Sequence, residues 1–145
     1  MGLPAMTLRT VANVRDLEKL NLQLPQTRIS THHLFHAGMY ARSIIIPEGV
    51  LLTGALIKRA TILILSGDAT VATGEDAPRL TGYHVLPASA HRKQAFLAHA
   101  DTHLTMLFPT AAQDVRSAED EFTDEGDLLF SRNGENIVNV TGEAS

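Results

Sequence analysis

Residues 39–54 read MYARSIIIPEGVLLTG, residues 55–76 read ALIKRATILILSGDATVATGED, and residues 79–110 read RLTGYHVLPASAHRKQAFLAHADTHLTMLFPT. These segments are strand-length runs rich in Ile, Val, Leu and Thr. Turn-forming residues interrupt the runs at Pro47, Gly49, Gly54, Gly67, Gly74, Pro78, Gly82, Pro87 and Pro109. Short strands separated by turns at intervals of roughly 8–12 residues are typical of all-β sandwiches and barrels. The sequence therefore predicts an all-β barrel over residues 39–110.

The composition is that of a globular protein of 145 residues, long enough for one domain with a sizeable core. Hydrophobic residues make up 44% and charged residues 19% of the chain, which argues against disorder. There is no Cys, so disulfides and thiolate metal sites are excluded. No apolar run reaches the roughly 18–20 residues of a membrane helix, and no signal peptide is recognisable. We therefore expect synthesis in the cytoplasm and no membrane partner.

The net charge of −4 is unevenly distributed along the chain. Residues 1–110 contain ten Lys or Arg and seven Asp or Glu, a balance of +3. Residues 111–145 contain two basic and nine acidic residues, a balance of −7. This acidic segment is interpreted either as a solvated tail or as an extension that docks onto a neighbouring subunit. Neither part is basic enough to predict direct binding of nucleic acid.

The segment before the predicted barrel contains one predicted helix. Apolar residues at every third position between Thr7 and Leu20 indicate a short amphipathic helix, with Thr7 as its N-cap. Residues 21–38 follow as an irregular or edge-strand arm. The predicted organisation is therefore an N-terminal helix and arm (1–38), a barrel (39–110) and an acidic C-terminal extension (111–145).

Two further elements are predicted in the acidic extension. AAQDVRSAEDEF, residues 111–122, reads as an acidic helix or an extended segment. DLLFSRNGENIVNV, residues 127–140, reads as a hairpin, because apolar runs flank the turn sequence Asn133-Gly134.

Two runs in the barrel region, Ile44–Ile46 and Ile62–Leu65, are apolar at consecutive positions. A strand with one wet face alternates, so a run that does not alternate must be covered on both faces. Either the N-terminal helix or a second copy of the chain would cover the outer face, and we favour a homo-oligomer. The apolar residues proposed for this interface are Ile44, Ile45, Ile46, Ile62 and Ile64.

His91, Arg92 and Lys93 form a short basic run late in the barrel region. One interpretation is a solvated basic turn without a partner. The other is contact with an anionic partner, for example the acidic segment of a neighbouring copy. An exposed ion pair contributes less than about 1 kcal/mol, but several together can set the register of an interface. These three residues complete the interface candidates.

Five short motifs follow one another in a fixed order between residues 37 and 110. They are Tyr40-Ala41-Arg42, Ile46-Pro47-Glu48-Gly49, Leu52-Thr53-Gly54, Ile64-Leu65-Ser66-Gly67 and Ala98-His99-Ala100-Asp101-Thr102. In these motifs the chain resembles the cupin family, and more narrowly the small cupin-like proteins of tailed phages. The resemblance implies a double-stranded β-helix, a small jelly-roll barrel of antiparallel strands. The short N-terminal helix and the acidic C-terminal extension would be additions to that barrel.

The resemblance also implies where a metal site would lie. Functional cupins carry His residues and a carboxylate shortly after the Pro-x-Gly turn, and such ligands suit Fe, Mn, Ni or Zn. In this chain the corresponding positions hold Ala55, Ile57, Ala60 and Thr61. None of these side chains is a strong metal ligand. We therefore predict a degenerate metal site, with no metal, no cofactor and no catalytic residue.

Seven His residues keep an enzymatic alternative open. A metal site rebuilt from His84, His91, His99 and His103 would make the protein a metal-dependent or small-molecule-binding cupin enzyme. His99 and His103 would share one face of a strand at a separation of roughly 13 Å, too far apart for one metal ion. A third alternative is a regulatory module that binds a sugar or an anion.

The first functional hypothesis is a non-enzymatic structural or interaction protein. No GxSxG, P-loop, HExxH or GxGxxG motif is present to indicate a known catalytic or nucleotide site. The phage resemblance implies a virion component, either capsid decoration or a tail or connector accessory, made in the host cytoplasm and located in the virion. Its expected partners are other copies of the chain and other virion proteins.

Overall fold

The computed structural model describes residues 2–129, 131 and 135–141, and strands predominate in it. A 3-10 turn covers Gly126–Leu128. The other elements in these ranges are α1 (Leu8–Asn21), β1 (Thr31–His36), β2 (Met39–Ile46), β3 (Leu51–Thr53), β4 (Thr61–Ala72), β5 (Arg79–Ala88), β6 (Ala95–Ala98), β7 (Thr102–Pro109), α2 (Val115–Phe122) and β8 (Asn136–Val140).

The strands form one curled sheet in the order β3-β6-β4-β7-β2-β1-β8, and β5 pairs with the other edge of β4. Neighbouring strands are antiparallel except β1 and β8, which run parallel. The predicted all-β fold with an N-terminal helix is confirmed. Between residues 2 and 129 no helix is long and apolar enough to span a membrane, nor is there one in the described residues beyond them.

The sheet turns a corner in the middle of β4. Residues 62–66 pair with β7, whereas residues 69–72 pair with β6. Gly67 lies between the two halves, and a Cβ at this position would lie 2.6 Å from the Thr102 hydroxyl oxygen. The close approach of β7 therefore requires glycine here. The Thr102 hydroxyl also accepts a hydrogen bond from the Asp68 amide at 3.1 Å, which stabilises the corner.

The apolar runs of β2 and β4 alternate between the two faces of the sheet. On β4, Leu63 and Leu65 are buried, whereas Ile62 is 46% exposed. On β2, Ile46 is fully buried, whereas Ile45 is 48% exposed. Every second residue therefore enters the core, and the residues between them remain exposed in the single chain.

The predicted N-terminal helix is confirmed as α1. The Thr7 hydroxyl accepts a hydrogen bond from the Thr10 amide and caps the helix as expected. Val11 and Val14 are buried against β6, but Leu8 is exposed. A spacing of three residues drifts around a helix of 3.6 residues per turn, so only the middle of the apolar series reaches the barrel.

The acidic segment packs against its own barrel. Ala118 and Phe122 of α2 and the following Leu129 are buried in the main core. Phe122 contacts Phe108 edge to face, with ring centroids 6.1 Å apart. The interpretation of residues 111–145 as a solvated tail is therefore wrong for residues 115–129, because their apolar face belongs to the core, whereas the residues of β8 are exposed.

The predicted hairpin in the acidic segment is also wrong. Residues 126–128 form the 3-10 turn, and β8 pairs in parallel with β1 rather than with the chain before it. The predicted turn Asn133-Gly134 lies outside the described residues. The sheet thus extends on both sides of residues 39–110, through β1 and β8.

Candidate functional site

A cavity of about 120 Å³ lies on the inner side of the curled sheet. Cross-strand pairs bring Arg42, Met106 and Leu63 to one level and Ile44 and Leu104 to the next. Their side chains face inward because they alternate with the exposed residues of the same strands. The full lining is Thr31, Arg42, Ile44, Leu52, Thr53, Gly54, Ala55, Ile57, Leu63, Arg92, Gln94, Phe96, Leu104, Met106, Phe122, Leu128 and Leu129. The walls are mostly apolar, and no carboxylate is among the lining residues that the structure describes.

Arg42 is the first of two cations in this lining, and its charge is compensated. Its guanidinium donates to the Glu119 carboxylate at 2.9 Å, and Glu119 is almost completely buried. The same group donates to the Tyr40 hydroxyl at 3.3 Å and to the Ser131 hydroxyl at 3.2 Å. Ser131 also hydrogen-bonds Glu119. Arg42 therefore ties α2 to the barrel.

Arg92 is the second cation, and it is only 1% exposed. It donates to the Ser89 carbonyl at 2.7 Å, the Arg59 carbonyl at 3.3 Å and the Thr61 hydroxyl at 2.7 Å. No described carboxylate forms an ion pair with it. Burial lowers the pKa of Arg92 to about 10. The guanidinium is therefore still a cation at neutral pH, and the described residues leave its charge uncompensated.

Three buried polar atoms in the described part of the chain have no hydrogen-bond partner. They are Thr31 Oγ1, Arg92 Nε and Gln94 Nε2. All three residues line the cavity. Buried polar groups nearly always have a hydrogen-bond partner in folded proteins. A buried group without a partner lowers the stability by about 1–3 kcal/mol. Three such atoms around one cavity are a reason to look for a polar ligand there.

The basic run predicted as an exposed turn is mostly buried. Lys93 is completely buried, and its ammonium group donates to Glu18 at 3.0 Å, to the Gly54 carbonyl at 2.7 Å and to Glu125 at 3.4 Å. Arg92 lines the cavity, so only His91 is exposed. The prediction that Arg92 and Lys93 contact a partner is therefore wrong, because their charged groups point into their own chain.

The other interface candidates divide according to the face of the sheet. Ile46 is fully buried and Ile44 lines the cavity, so neither is available to a partner. Ile45 and Ile62 are exposed, and Ile64 is half-buried on the same outer side. The error at Ile44 and Ile46 arises because three consecutive isoleucines do not show which of them face outward.

The predicted metal positions and the His residues lie in different environments. Ala55 and Ile57 line the cavity, and the Thr61 hydroxyl accepts from Arg92. His99 hydrogen-bonds Thr70 at 2.7 Å, and His84 contacts the carbonyl of Thr81 at 2.8 Å. Across the described residues, no group of three or more His, Cys, Asp or Glu is arranged to hold a metal ion.

His33 and Tyr40 form a buried pair behind Arg42. The Tyr40 hydroxyl lies 2.6 Å from His33 Nδ1, and Asn136 Oδ1 lies 2.7 Å from His33 Nε2. Burial lowers the pKa of His33, since the imidazolium would lose its hydration. Burial also raises the pKa of Tyr40. The pair is thus neutral at physiological pH and supports Arg42 through the Tyr40 hydroxyl.

The sequence interpretation missed four residues of this site: Thr31, Arg42, Gln94 and Glu119. Thr31 lies in the segment predicted to be an irregular or edge-strand arm, and Arg42 entered the sequence analysis only as part of a family motif. The alternation of Tyr40, Arg42 and Ile44 along β2 was the available signal, because it puts an arginine on the inward face.

The fold is similar to that of solved cupin structures. A cupin superfamily protein from Desulfitobacterium hafniense is 15% identical, with a TM-score of 0.47 over 76% of this chain and 96% of that chain. A cupin-2 domain protein from Shewanella frigidimarina is 11% identical, with a TM-score of 0.46 over 69% and 95%. Ectoine synthase from P. lautus is 14% identical, with a TM-score of 0.47 over 59% and 67%. No protein-family model matches the chain, and neither does any curated protein. These similarities concern the fold alone.

Proposed function

We propose that this protein is a non-enzymatic binding module that holds a small organic molecule in the cavity of its cupin-like fold. One observation carries the proposal: the buried polar atoms without a partner belong to Thr31, Arg92 and Gln94, which line one partly open, largely apolar cavity. Apolar walls with a few convergent polar groups are the usual features of a ligand pocket. The cavity is therefore suited to a molecule with an apolar body and a polar end.

The side chains of the lining support binding without chemistry. Among its described residues the cavity presents two arginines, two threonines and one glutamine as its polar side chains. No His, Asp, Glu, Cys, Tyr or Lys is among the described lining residues, so none of them supplies one of the usual general acids or bases to a ligand. This composition favours the binding-module reading over the enzymatic alternative.

The size of the ligand follows from the cavity volume. An apolar cavity of about 150 Å³ accommodates benzene, which has six heavy atoms. A cavity of about 120 Å³ therefore suits a molecule of about five or six heavy atoms. A sugar or a nucleotide would extend beyond this cavity into solvent.

A screen of small fragments with neutral, anionic and cationic members tests this proposal. We expect at least one fragment to shift the NMR signals of Leu63, Leu104 and Met106, which line the cavity on β4 and β7. The same fragment should raise the unfolding temperature, since a ligand that binds only the folded state stabilises it. If every fragment leaves these three signals in place, the proposal is wrong.

A matched pair of Thr→Val substitutions provides a second test without any ligand. Thr31→Val removes a buried hydroxyl that has no partner, so we expect the free energy of unfolding to rise by about 1–2 kcal/mol. Thr61→Val removes an acceptor that Arg92 uses, so we expect a loss of about 1–3 kcal/mol. Urea denaturation measures both values. Equal effects of the two substitutions would show that the Thr31 hydroxyl is satisfied in solution.

Self-assembly through the outer side of the sheet is a second candidate function. Four neighbouring strands form this side of the sheet. None of their outward-facing residues is Asp, Glu, Lys or Arg over 41–45 of β2, 62–66 of β4, 83–87 of β5 and 103–107 of β7. Ile62 is 46% and Val85 is 53% exposed within this charge-free face. Exposed apolar patches of this kind often mark interfaces. The virion role implied by the phage resemblance requires such a surface, and it stays a prediction.

Ile62→Lys tests this second candidate. A lysine in the middle of an apolar interface buries an unpaired charge, so we expect the native assembly to dissociate into monomers in light scattering. Leu8→Lys is the control, because Leu8 is 81% exposed and lies on α1 rather than on a strand of this face. A wild-type protein that is already monomeric, or an Ile62→Lys assembly of unchanged mass, would exclude this interface.

A further inference from the structure

We propose that the ligand of the barrel cavity is a small monocarboxylate, and that Arg92 is the residue that binds its charge. This inference depends on the proposed function, since it names the chemical class of ligand for the same cavity. Three features of the cavity support it: the balance of charge, the kind of unpartnered atom and the volume.

Arg42, Arg92 and the Glu119 carboxylate that pairs with Arg42 together carry a net charge of +1. Arg42 and Arg92 both line the cavity, but only Arg42 has a carboxylate partner among the described residues, namely Glu119. A charge taken out of water is costly unless an opposite charge compensates it. Burial lowers the pKa of Arg92 to about 10, because the buried guanidinium has lost its hydration. A ligand with one negative charge supplies the opposite charge.

The unpartnered atoms are of the kind that a carboxylate needs. Arg92 Nε and Gln94 Nε2 are hydrogen-bond donors, and the Thr31 hydroxyl is able to donate as well. An ionised carboxylate is a pure acceptor with two oxygens. A carboxylate bound beside Arg92 would supply the opposite charge that the guanidinium lacks and an acceptor for its Nε donor. Hydrogen bonds to ionised groups are roughly twice as strong as neutral ones.

The remaining wall defines the body of the ligand. Ile44, Leu52, Leu63, Phe96 and Leu104 surround the space with aliphatic and aromatic groups. A cavity slightly smaller than one that holds benzene leaves room for a carboxylate with a chain of about three carbons. Inorganic phosphate fits less well, because it brings a second charge and no apolar body. Butyrate is the probe that matches all three features.

Binding of butyrate is compared with binding of butyramide and of butylammonium, using the complete chain at neutral pH. Butyramide has nearly the same shape as butyrate but no charge, and butylammonium reverses the charge. We expect butyrate to bind at least tenfold more tightly than butyramide in calorimetry, and we expect butylammonium not to bind. Shifts in the NMR signals of Leu63 and Gln94 place the bound molecule in the cavity.

The outcomes separate this inference from the proposed function. If butyramide binds in the cavity as tightly as butyrate, the cavity is a ligand site but the anion inference is wrong. If none of the three probes, and no fragment of the screen, shifts the signals of the cavity, the proposed function fails as well. Butyrate that shifts only signals outside the cavity also overturns the inference.

Two substitutions test the role of Arg92 directly. Arg92→Met should reduce the preference for butyrate over butyramide from at least tenfold to about onefold. Arg79→Met is the control, since Arg79 is an exposed cation paired with Asp68 away from the cavity, and its preference should equal that of the wild type. If Arg92→Met does not fold, the comparison of probes on the wild-type protein decides alone. An unchanged preference in folded Arg92→Met would exclude Arg92 as the anion-binding residue.

Discussion

Replacing Glu119 by Gln is expected to lower the free energy of unfolding by about 3–5 kcal/mol. Glu119 is almost fully buried, and its carboxylate receives a hydrogen bond from Arg42 at 2.9 Å. The amide of Gln keeps the size of the side chain but removes its charge, so the guanidinium of Arg42 stays buried without compensation. The loss is large because the desolvation of Arg42 is no longer offset. Urea denaturation followed by circular dichroism measures it.

The matched control is Asp124→Asn, which removes a carboxylate from an exposed ion pair. Asp124 contacts Lys58 at 2.7 Å, but both side chains are largely in water. Exposed pairs of this kind contribute less than about 1 kcal/mol, so this substitution should be nearly neutral. Similar losses in the two variants would mean that general electrostatic attraction, and not the buried pair, holds the acidic segment in place.

A double substitution tests whether the uncompensated charge of Arg42 causes the loss of stability in Glu119→Gln. Arg42→Met combined with Glu119→Leu removes both charges at once, and buried ion pairs replaced by apolar residues are often tolerated. We expect the double variant to be more stable than Glu119→Gln alone. Arg42 also lines the cavity, and Glu119 compensates its charge, so this ion pair contributes to both the stability of the fold and the charge of the cavity.

The class of fold was predictable because its signals are local. Turn residues such as Gly54, Gly74 and Pro109 limit strand-length runs, and a short-range pattern suffices to indicate many short strands. The register was not predictable. Whether Ile44 or Ile45 faces the core depends on the pairing of β2 with β7, more than fifty residues away in the sequence.

The candidate site depends on contacts between distant parts of the chain, and the sequence therefore suggested it poorly. Arg92 and Lys93 read locally as an exposed basic turn, yet Thr61, Glu18 and Glu125 provide their partners. Lys and Arg side chains are rarely buried, so their residue types alone predict that Arg92 and Lys93 are exposed. The Ala and Ile residues at the predicted metal positions were a better guide, because Ala55 and Ile57 do line the cavity.

The uneven charge of the chain has a structural explanation in the described residues. Carboxylates of the acidic segment pair with cations of the barrel and of α1: Glu119 with Arg42, Glu121 with Arg59, Asp124 with Lys58, and Glu125 with Arg15 and Lys93. The sequence analysis left this segment either in solvent or docked onto another copy. Opposite charges in two parts of a sequence do not indicate whether they meet within one chain or between two.

Phe122→Ala is expected to cost about 3–5 kcal/mol of unfolding free energy, because it deletes a buried aromatic side chain. Phe122 packs on the ring of Phe108, lies under the guanidinium of Arg42 and forms part of the cavity wall. The same deletion should enlarge the cavity, so ligands longer than butyrate should gain affinity relative to the wild type. Chemical denaturation and calorimetry measure the two effects.

Tyr83→Ala is the control for Phe122→Ala, since Tyr83 is an aromatic residue that is 69% exposed on β5. Tyr83→Ala should lower the free energy of unfolding by about 1 kcal/mol or less, since only the difference in strand propensity is lost. The comparison distinguishes two views of the acidic segment. A solvated extension predicts that Phe122→Ala is as mild as Tyr83→Ala, whereas a segment that completes the core predicts a difference of several kcal/mol. Phe122 belongs to both the core and the cavity wall, so its removal should change both the stability and the size of ligand that binds best. An effect on stability alone would place Phe122 in the core but outside the ligand site.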